Sequence, residues 1–143
     1  MSPLRLPYST LSPAAYQALV AVKQALDKST LDKSLVELVN LRVSQINGCA
    51  FCLEMHATQL RAGGMANAKL DSLAGWRVSA RFSEAERAAL AWSESLVEIA
   101  QSHAPDEVFT PLKAHFSDAQ ISDLTFVVAL MSAFNRLAIG MRQ

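Results

Sequence analysis

The chain has 143 residues, of which 51% are hydrophobic and 18% charged, and its 13 basic side chains balance 13 acidic ones. This length predicts a single domain, residues 1–143, with a core large enough to fold without disulfide staples. The formal net charge of zero argues against nucleic acid as a partner, because phosphate binding needs a basic face. Soluble domains average about 25% charged residues, so we interpret the apolar surplus as a subunit interface.

The chain carries no pattern for export or membrane insertion. Residues 1–10 contain Arg5 and two prolines but lack the apolar segment of a signal peptide. The longest uncharged apolar stretch near the C-terminus, residues 124–134, is too short to span a bilayer. We therefore expect a cytoplasmic protein without a membrane partner, a setting in which paired cysteines rarely serve as a structural staple.

The first half of the chain has a helical hydrophobic pattern. Ser12-Pro13 predicts a helix start with proline at the first helical position. Apolar residues at helical spacing predict a second helix over residues 31–46. Asn47-Gly48 then predicts a tight turn into a third helix, which runs from near Cys49 to the glycine pair at residues 63–64.

The second half continues this pattern. Residues 66–73 predict a short helix, and the capping box at residues 83–86 opens a long helix to about Ser102. Residues 105–116 hold another short helix. Ser117 caps a last helix to about residue 139, which is apolar enough to be buried on most sides. The sequence thus predicts an all-α bundle of about six to seven helices that forms an oligomer.

Both cysteines of the protein lie together, in Cys49-Ala50-Phe51-Cys52 at the start of the third predicted helix. This spacing brings the two sulfurs within reach of a disulfide, and the positive end of the helix favours a thiolate. His56 lies four residues after Cys52 on the same helical face, where it can exchange a proton with the thiol. The helix end favours attack by Cys49 and the histidine favours attack by Cys52, so these features leave the attacking residue open.

Glu37 lies in the preceding predicted helix, twelve residues before Cys49. If the two helices pack as an antiparallel pair, Glu37 returns alongside His56, where its carboxylate can orient the imidazole. The helix face of Glu37 also holds three further polar side chains, Lys33, Asn40 and Ser44. Such a face is typical of a solvent-exposed helix side, so the pattern by itself also fits a surface role for Glu37.

The spacing of Glu37, Cys49, Cys52 and His56 resembles the core motif of the alkylhydroperoxidase D-like branch of the carboxymuconolactone decarboxylase family. Residues 89–94 and 134–139 resemble later helices of that family, so the likeness extends over about residues 15–140. The resemblance implies an all-helical fold, a homo-oligomer such as a trimer or hexamer, and thiol-dependent reduction of organic hydroperoxides. It implies neither a metal nor a bound organic cofactor.

The resemblance also implies a role for each residue of the motif. Cys52 would attack the peroxide, Cys49 would resolve the sulfenic acid to a disulfide, and Glu37 and His56 would relay protons. An external dithiol would reduce the disulfide, and in related enzymes this donor is a lipoyl group on a partner protein. Some peroxidases of the family carry a histidine just before the second cysteine. Phe51 occupies that position here, a departure that concerns the proton relay and leaves the dithiol in place.

Other interpretations of the motif remain open at this stage. Cys49 and Cys52 could be two small buried hydrophobic residues, or could form a zinc site with His56 and Glu37. The protein could be a lactone decarboxylase or related lyase like the namesakes of the family, although those branches generally lack the paired cysteines. It could also be a redox sensor whose dithiol switches a partner without catalytic turnover.

Overall fold

A computed structural model describes residues 3–143, and every regular element within that range is helical. Its α-helices are α1 (Tyr8–Leu11), α2 (Pro13–Leu26), α3 (Lys33–Asn47), α4 (Ala50–Ala62), α5 (Asn67–Asp71), α6 (Glu84–Val97), α7 (Ile99–Ser102), α8 (Asp106–Phe109) and α9 (Asp118–Met141). Short 3-10 segments follow α5 and α8, at Leu73–Val78 and Thr110–Ala114. The predicted all-α class is confirmed. The short helix predicted over residues 66–73 is present as α5, whereas the sequence pattern missed α1 and merged α7 and α8 with their neighbours, because about one turn is too short to display an apolar stripe.

Local capping interactions begin and end most of the long helices where the sequence places them. The hydroxyls of Ser83 and Ser117 accept hydrogen bonds from backbone amides in the first turns of α6 and α9, which completes a capping box at each helix. Gly48 ends α3 with φ of +74°, a left-handed conformation that favours glycine. Asp32 caps α3 by accepting from the Ser34 amide, so this helix begins two residues later than its apolar pattern indicates.

The helix predicted from Ser83 to about Ser102 consists of two helices, so this prediction was wrong at its C-terminal end. α6 ends at Val97, and Glu98 leaves helical geometry with φ of −97° and ψ of 37° before α7 begins. The Ser102 hydroxyl donates to the Ser95 carbonyl oxygen at 2.5 Å, which ties α7 back onto the end of α6. Hydrophobic periodicity does not reveal such a break, because it depends on polar contacts between side chain and backbone.

The long helix α9 forms the centre of the bundle and contacts α2, α3 and α6. It is long and apolar enough to match a membrane-spanning helix by length and composition alone. The helix predicted from residue 118 to about residue 139 is confirmed and has 24 residues, so the length of its uncharged stretch, residues 124–134, was the wrong measure of whether it could span a bilayer. Nine residues of α9 are buried within the bundle, among them Leu124 and Val128 at 0% and 1% exposure. One side of α9 thus packs into the core, but the predicted burial on most sides is not seen in this chain, because Phe126 and Ile139 are 57% and 42% exposed.

An ionic cluster around Glu94 connects α6 to α3 and to the 3-10 segment after α5. The carboxylate accepts hydrogen bonds from Arg42 Nε and Trp76 Nε1, each at 3.1 Å, and also pairs with Arg77. Burial by itself would raise the pKa of Glu94. The hydrogen bonds from Arg77 and Trp76 and the positive charges of Arg42 and Arg77 outweigh burial, and they lower this pKa below its ordinary value.

The lowered pKa of Glu94 predicts a loss of stability in acid. A carboxyl group whose pKa is lower in the folded state stabilises the fold above its ordinary pKa of about 4.3, and this stabilisation disappears as pH falls through the folded value. We expect the free energy of unfolding, measured by urea denaturation, to fall less between pH 6 and pH 3.5 in Glu94→Gln than in the wild type. Glu54→Gln, a change at an exposed carboxylate, should retain the wild-type slope. Equal slopes for all three proteins would contradict the prediction.

Candidate active site

The two cysteines lie at the turn that joins α3 to α4. Cys49 is the N-cap of α4, and its Sγ accepts a hydrogen bond from the Cys52 amide at 3.4 Å. The structure joins Cys49 and Cys52 in a disulfide, with their Cα atoms 5.3 Å apart. Their exposed fractions are only 1% and 4%. Both sulfurs thus lie in the first turn of a helix, where unpaired backbone amides and the helix dipole favour a thiolate once the pair is reduced.

The packing of α3 against α4 brings Glu37 to His56. The carboxylate Oε2 of Glu37 lies 2.6 Å from Nδ1 of His56, which is 4% exposed. A carboxylate can only accept a hydrogen bond, so Nδ1 carries the proton and the other ring nitrogen, Nε2, is left to exchange protons. Nε2 is buried and has no hydrogen-bond partner among residues 3–143. Nε2 is therefore the ring nitrogen with capacity for a further hydrogen bond.

Gln59 contacts the same carboxylate, and the sequence analysis did not identify it. With its side-chain amide turned to donate, the Gln59 nitrogen lies 2.9 Å from Oε2 and 3.3 Å from Oε1 of Glu37. Gln59 follows His56 by three residues on α4, so helical spacing was the signal that could have revealed it. The amide and the imidazole together hold the Glu37 carboxylate between α3 and α4.

A cavity of about 460 Å³ lies between α2, α3, α4 and α9 and reaches the dithiol. Cys52, His56, Glu37 and Gln59 form part of its wall. Much of the remaining wall is apolar and includes Val36, Met55, Val127, Leu130 and Phe134. Cys49 is not among the residues that line the cavity in the described part of the chain. A ligand in the cavity would therefore meet Cys52 and His56 and would have an apolar environment for the rest of its body.

Phe51 and Met55 occupy the solvent side of this cavity, with 43% and 38% of their surfaces exposed. Phe51 stands where some family members carry a histidine, and its ring cannot exchange protons. His56, one helical turn after Cys52 on α4, and its partner Glu37 are the titratable residues of the predicted motif in this cavity wall. Phe51 instead contributes apolar surface to the cavity.

Asn135 of α9 attaches the C-terminal end of α3 to the core. Its side chain is fully buried, donates to Ser44 Oγ at 3.1 Å, and accepts from Asn47 Nδ2 at 3.0 Å. Asn47 directly precedes the turn at Gly48, and Ala138, one turn further along α9, packs with both cysteines. The helix α9 thus contacts the dithiol turn through Asn135 and Ala138.

A zinc site has no geometric support in residues 3–143. In that range no group of three or more His, Cys, Asp or Glu side chains is arranged to hold a metal ion. The two sulfurs are bonded to each other, and Glu37 occupies one ring nitrogen of His56. The four residues of the predicted motif are brought together as two pairs, a disulfide and a carboxylate–imidazole pair.

An all-helical fold with a buried Cys-x-x-Cys disulfide beside a carboxylate–histidine pair defines a class of dithiol proteins. Residues 13–95 match the carboxymuconolactone decarboxylase family, and the chain belongs to this family, in its alkylhydroperoxidase D-like branch. The uncharacterized protein YdfG of Bacillus subtilis is 30% identical over 137 residues, which are 96% of this chain and 93% of YdfG. The family resemblance noted in the sequence is thereby confirmed.

Solved structures of proteins from the alkylhydroperoxidase D-like branch have the same fold as this chain. A protein of unknown function from Agrobacterium tumefaciens, proposed to be the antioxidant defence protein AhpD, is 37% identical with a TM-score of 0.94. The match covers 99% of this chain and 97% of that protein. A peroxidase-related protein with an AhpD core from Ralstonia eutropha JMP134 is 26% identical, with a TM-score of 0.80 over 94% of this chain and 73% of its own.

The same fold also occurs in a protein named for a different activity. The debrominase Bmp8 is 20% identical and has a TM-score of 0.82, over 94% of this chain and 72% of its own. At that identity the likeness concerns the fold alone. The reaction of the present chain therefore has to be argued from its own side chains.

Proposed function

We propose that this protein is a thiol-dependent peroxidase that reduces organic hydroperoxides through a disulfide cycle between Cys52 and Cys49. The observation that carries the proposal is the cavity wall, where Cys52 lies beside a histidine with a free, buried Nε2. The cavity also offers apolar surface for the organic part of a hydroperoxide. Membership of the alkylhydroperoxidase D-like branch supports the same chemistry.

In the proposed cycle, Nε2 of His56 takes the proton of the Cys52 thiol, and Glu37 stabilises the imidazolium that forms. The thiolate attacks the terminal oxygen of the hydroperoxide, so that an S–O bond forms as the O–O bond breaks. The alkoxide leaves and takes the proton from His56, which completes a two-electron oxidation of Cys52 to the sulfenic acid. The Cys49 thiol then displaces water from the sulfenic acid, and the disulfide results.

Return to the dithiol requires an external dithiol, which exchanges with the disulfide through a mixed-disulfide intermediate. We propose a lipoyl group on a partner protein as a donor of this kind. The protein is further proposed to act as a cytoplasmic homo-oligomer. Phe51 and Met55 place exposed apolar surface next to the disulfide, and such surface suits contact with an apolar dithiol arm.

A thiol titration tests the proposal. We expect cumene hydroperoxide to remove both free thiols of the reduced protein and to lower its intact mass by about 2 Da, the loss of two hydrogens. Dihydrolipoamide should then restore the thiols and support repeated turnover. Two thiols that stay free under excess peroxide would contradict the proposal. Oxidation without turnover by dihydrolipoamide or dithiothreitol would support the redox sensor instead, and lactone turnover by a cysteine-free variant would support the lyase.

Glu37→Gln tests the carboxylate–histidine pair. The amide has nearly the same shape as the carboxylate but no charge, so it stabilises the imidazolium less. We expect the rate of peroxide-driven thiol loss at neutral pH to fall by about 10²-fold, the lower end of the range for general acid–base catalysis. The rate should be measured by acid quench and thiol titration. Glu54→Gln, at an exposed carboxylate on α4, serves as the control and should react at the wild-type rate. An unchanged rate in Glu37→Gln would exclude this role.

A further inference from the structure

Asn40 lies in the wall of the dithiol cavity, one helical turn after Glu37 on α3. Its residue is 8% exposed, which makes it one of the few buried polar side chains of the protein. Its carboxamide forms no hydrogen bond with any of residues 3–143, although its polar atoms still reach accessible space. Because Asn40 lines the cavity, that space is the cavity itself.

Buried carboxamides elsewhere in this protein have a structural partner. Asn135 is 0% exposed, and both ends of its amide are hydrogen-bonded, to Ser44 and to Asn47. Most buried polar groups in proteins are hydrogen-bonded, and the accessible amide of Asn40 can find a partner only in the cavity. Leucine has the same number of side-chain heavy atoms and no polar group, so the fold by itself does not require an amide at this position. No hydrogen bond within residues 3–143 explains the amide of Asn40, and the cavity is the space from which a ligand can supply its partner.

We infer that Asn40 is a substrate-binding residue whose amide N–H group donates a hydrogen bond to the hydroperoxide. This inference rests on the proposed peroxidase activity and adds a residue to it. The acceptor is the oxygen bonded to carbon, the atom that gains negative charge as the O–O bond breaks. A fixed donor in an apolar cavity stabilises such developing charge strongly, because no water has to reorganise around it. His56 then protonates the same oxygen, and the alcohol leaves.

Asn40→Leu separates this role from a structural one. Removal of one donor to developing negative charge costs about 10²–10³-fold in rate in comparable sites. We expect the second-order rate constant for thiol loss with cumene hydroperoxide to fall by at least about 10²-fold. The melting temperature should stay close to that of the wild type, because Asn40 makes no hydrogen bond with residues 3–143 that the variant would lose, and the added methyl groups can extend into the cavity. Asn67→Ala, a change at an exposed asparagine on α5, is the control and should keep the wild-type rate.

Alkylation of the reduced protein by iodoacetamide provides the second measurement. Iodoacetamide reacts with the Cys52 thiolate but has no O–O bond, so Asn40→Leu should be alkylated at the wild-type rate. Alkylation reduced by the same factor as peroxide reduction would overturn the inference, because Asn40 would then act on the thiol. If Asn40→Leu does not melt cooperatively, Asn40→Asp replaces it in the test. Aspartate keeps the volume of the side chain and lacks the N–H donor at neutral pH, so this variant should react with peroxide more slowly in the same way.

The remaining outcomes distinguish the two proposals. A wild-type protein that reacts with peroxide and an Asn40→Leu variant that reacts equally fast would overturn the role of Asn40 and leave the peroxidase intact. A wild-type protein whose thiols do not react with peroxide would overturn the peroxidase and the role of Asn40 together.

Discussion

Replacing Cys52 with serine is expected to abolish peroxide reduction, so that consumption of cumene hydroperoxide in the presence of dihydrolipoamide falls to the uncatalysed rate. Of the two disulfide-bonded residues, Cys52 lines the cavity and shares a helical face with His56. Serine keeps the size of the side chain but is a far weaker nucleophile and cannot become a sulfenic acid. Intact mass after peroxide treatment should show no oxygen added to this variant at Cys49.

Cys49→Ser is the matched variant, and it should behave differently. Its Cys52 should still react once with peroxide and stop at the sulfenic acid, with a mass gain of about 16 Da, because no resolving thiol is present. Turnover should be lost while the first oxidation retains nearly its wild-type rate. The opposite pattern, with a trapped sulfenic acid in Cys52→Ser and an inert Cys49→Ser, would reverse the proposed roles of the two cysteines.

Replacing Asn135 with alanine is expected to lower the free energy of unfolding by about 2–4 kcal/mol. The variant loses one buried and one part-buried hydrogen bond, leaves Ser44 and Asn47 with unpaired polar groups, and opens a void beside α9. For a chain of this size such a loss corresponds to a fall of about 10 °C in melting temperature. Differential scanning calorimetry of the wild type and the variant measures it.

Asn67→Ala provides the control for this stability measurement. Asn67 is an exposed residue of α5 that contacts Arg61 at the surface, and its loss should change the melting temperature by only one or two degrees. If the melting temperature of Asn135→Ala lay as close to the wild-type value as that of Asn67→Ala, the prediction would be wrong. The hydrogen bonds that link α9 to the dithiol turn would then not stabilise the fold.

The sequence predicted much of the fold because most long helices have local start and stop signals. The serines at residues 83 and 117, the proline at residue 13 and the glycine at residue 48 each act within one turn of their own position. The division between α6 and α7 was missed. It depends on contacts between Ser95 and Ser102 that no hydrophobic period records.

For the candidate site, spacing predicted that Glu37 and His56 would meet, and the structure brings them within 2.6 Å. The polar face that carries Glu37 was compatible with a solvated surface, and the structure corrects that interpretation. On this face, Asn40 is 8% exposed and lines the cavity. Ser44 is 0% exposed and accepts a hydrogen bond from Asn135 of α9. Periodicity reports where polar residues lie on a helix but not whether water, a cavity or another helix faces them.

The sequence by itself determined the all-α class, the dithiol at a helix start and the family, because these depend on residue types at short, fixed spacings. Only the tertiary structure decided that Cys52 lines the cavity, that Gln59 contacts Glu37 and that Asn40 stands there without a partner. It likewise decided that Asn135 holds the dithiol turn from a helix 88 residues away. The physical reason is that cavities and buried polar contacts arise where distant segments pack together, and local sequence patterns carry no signal for that packing.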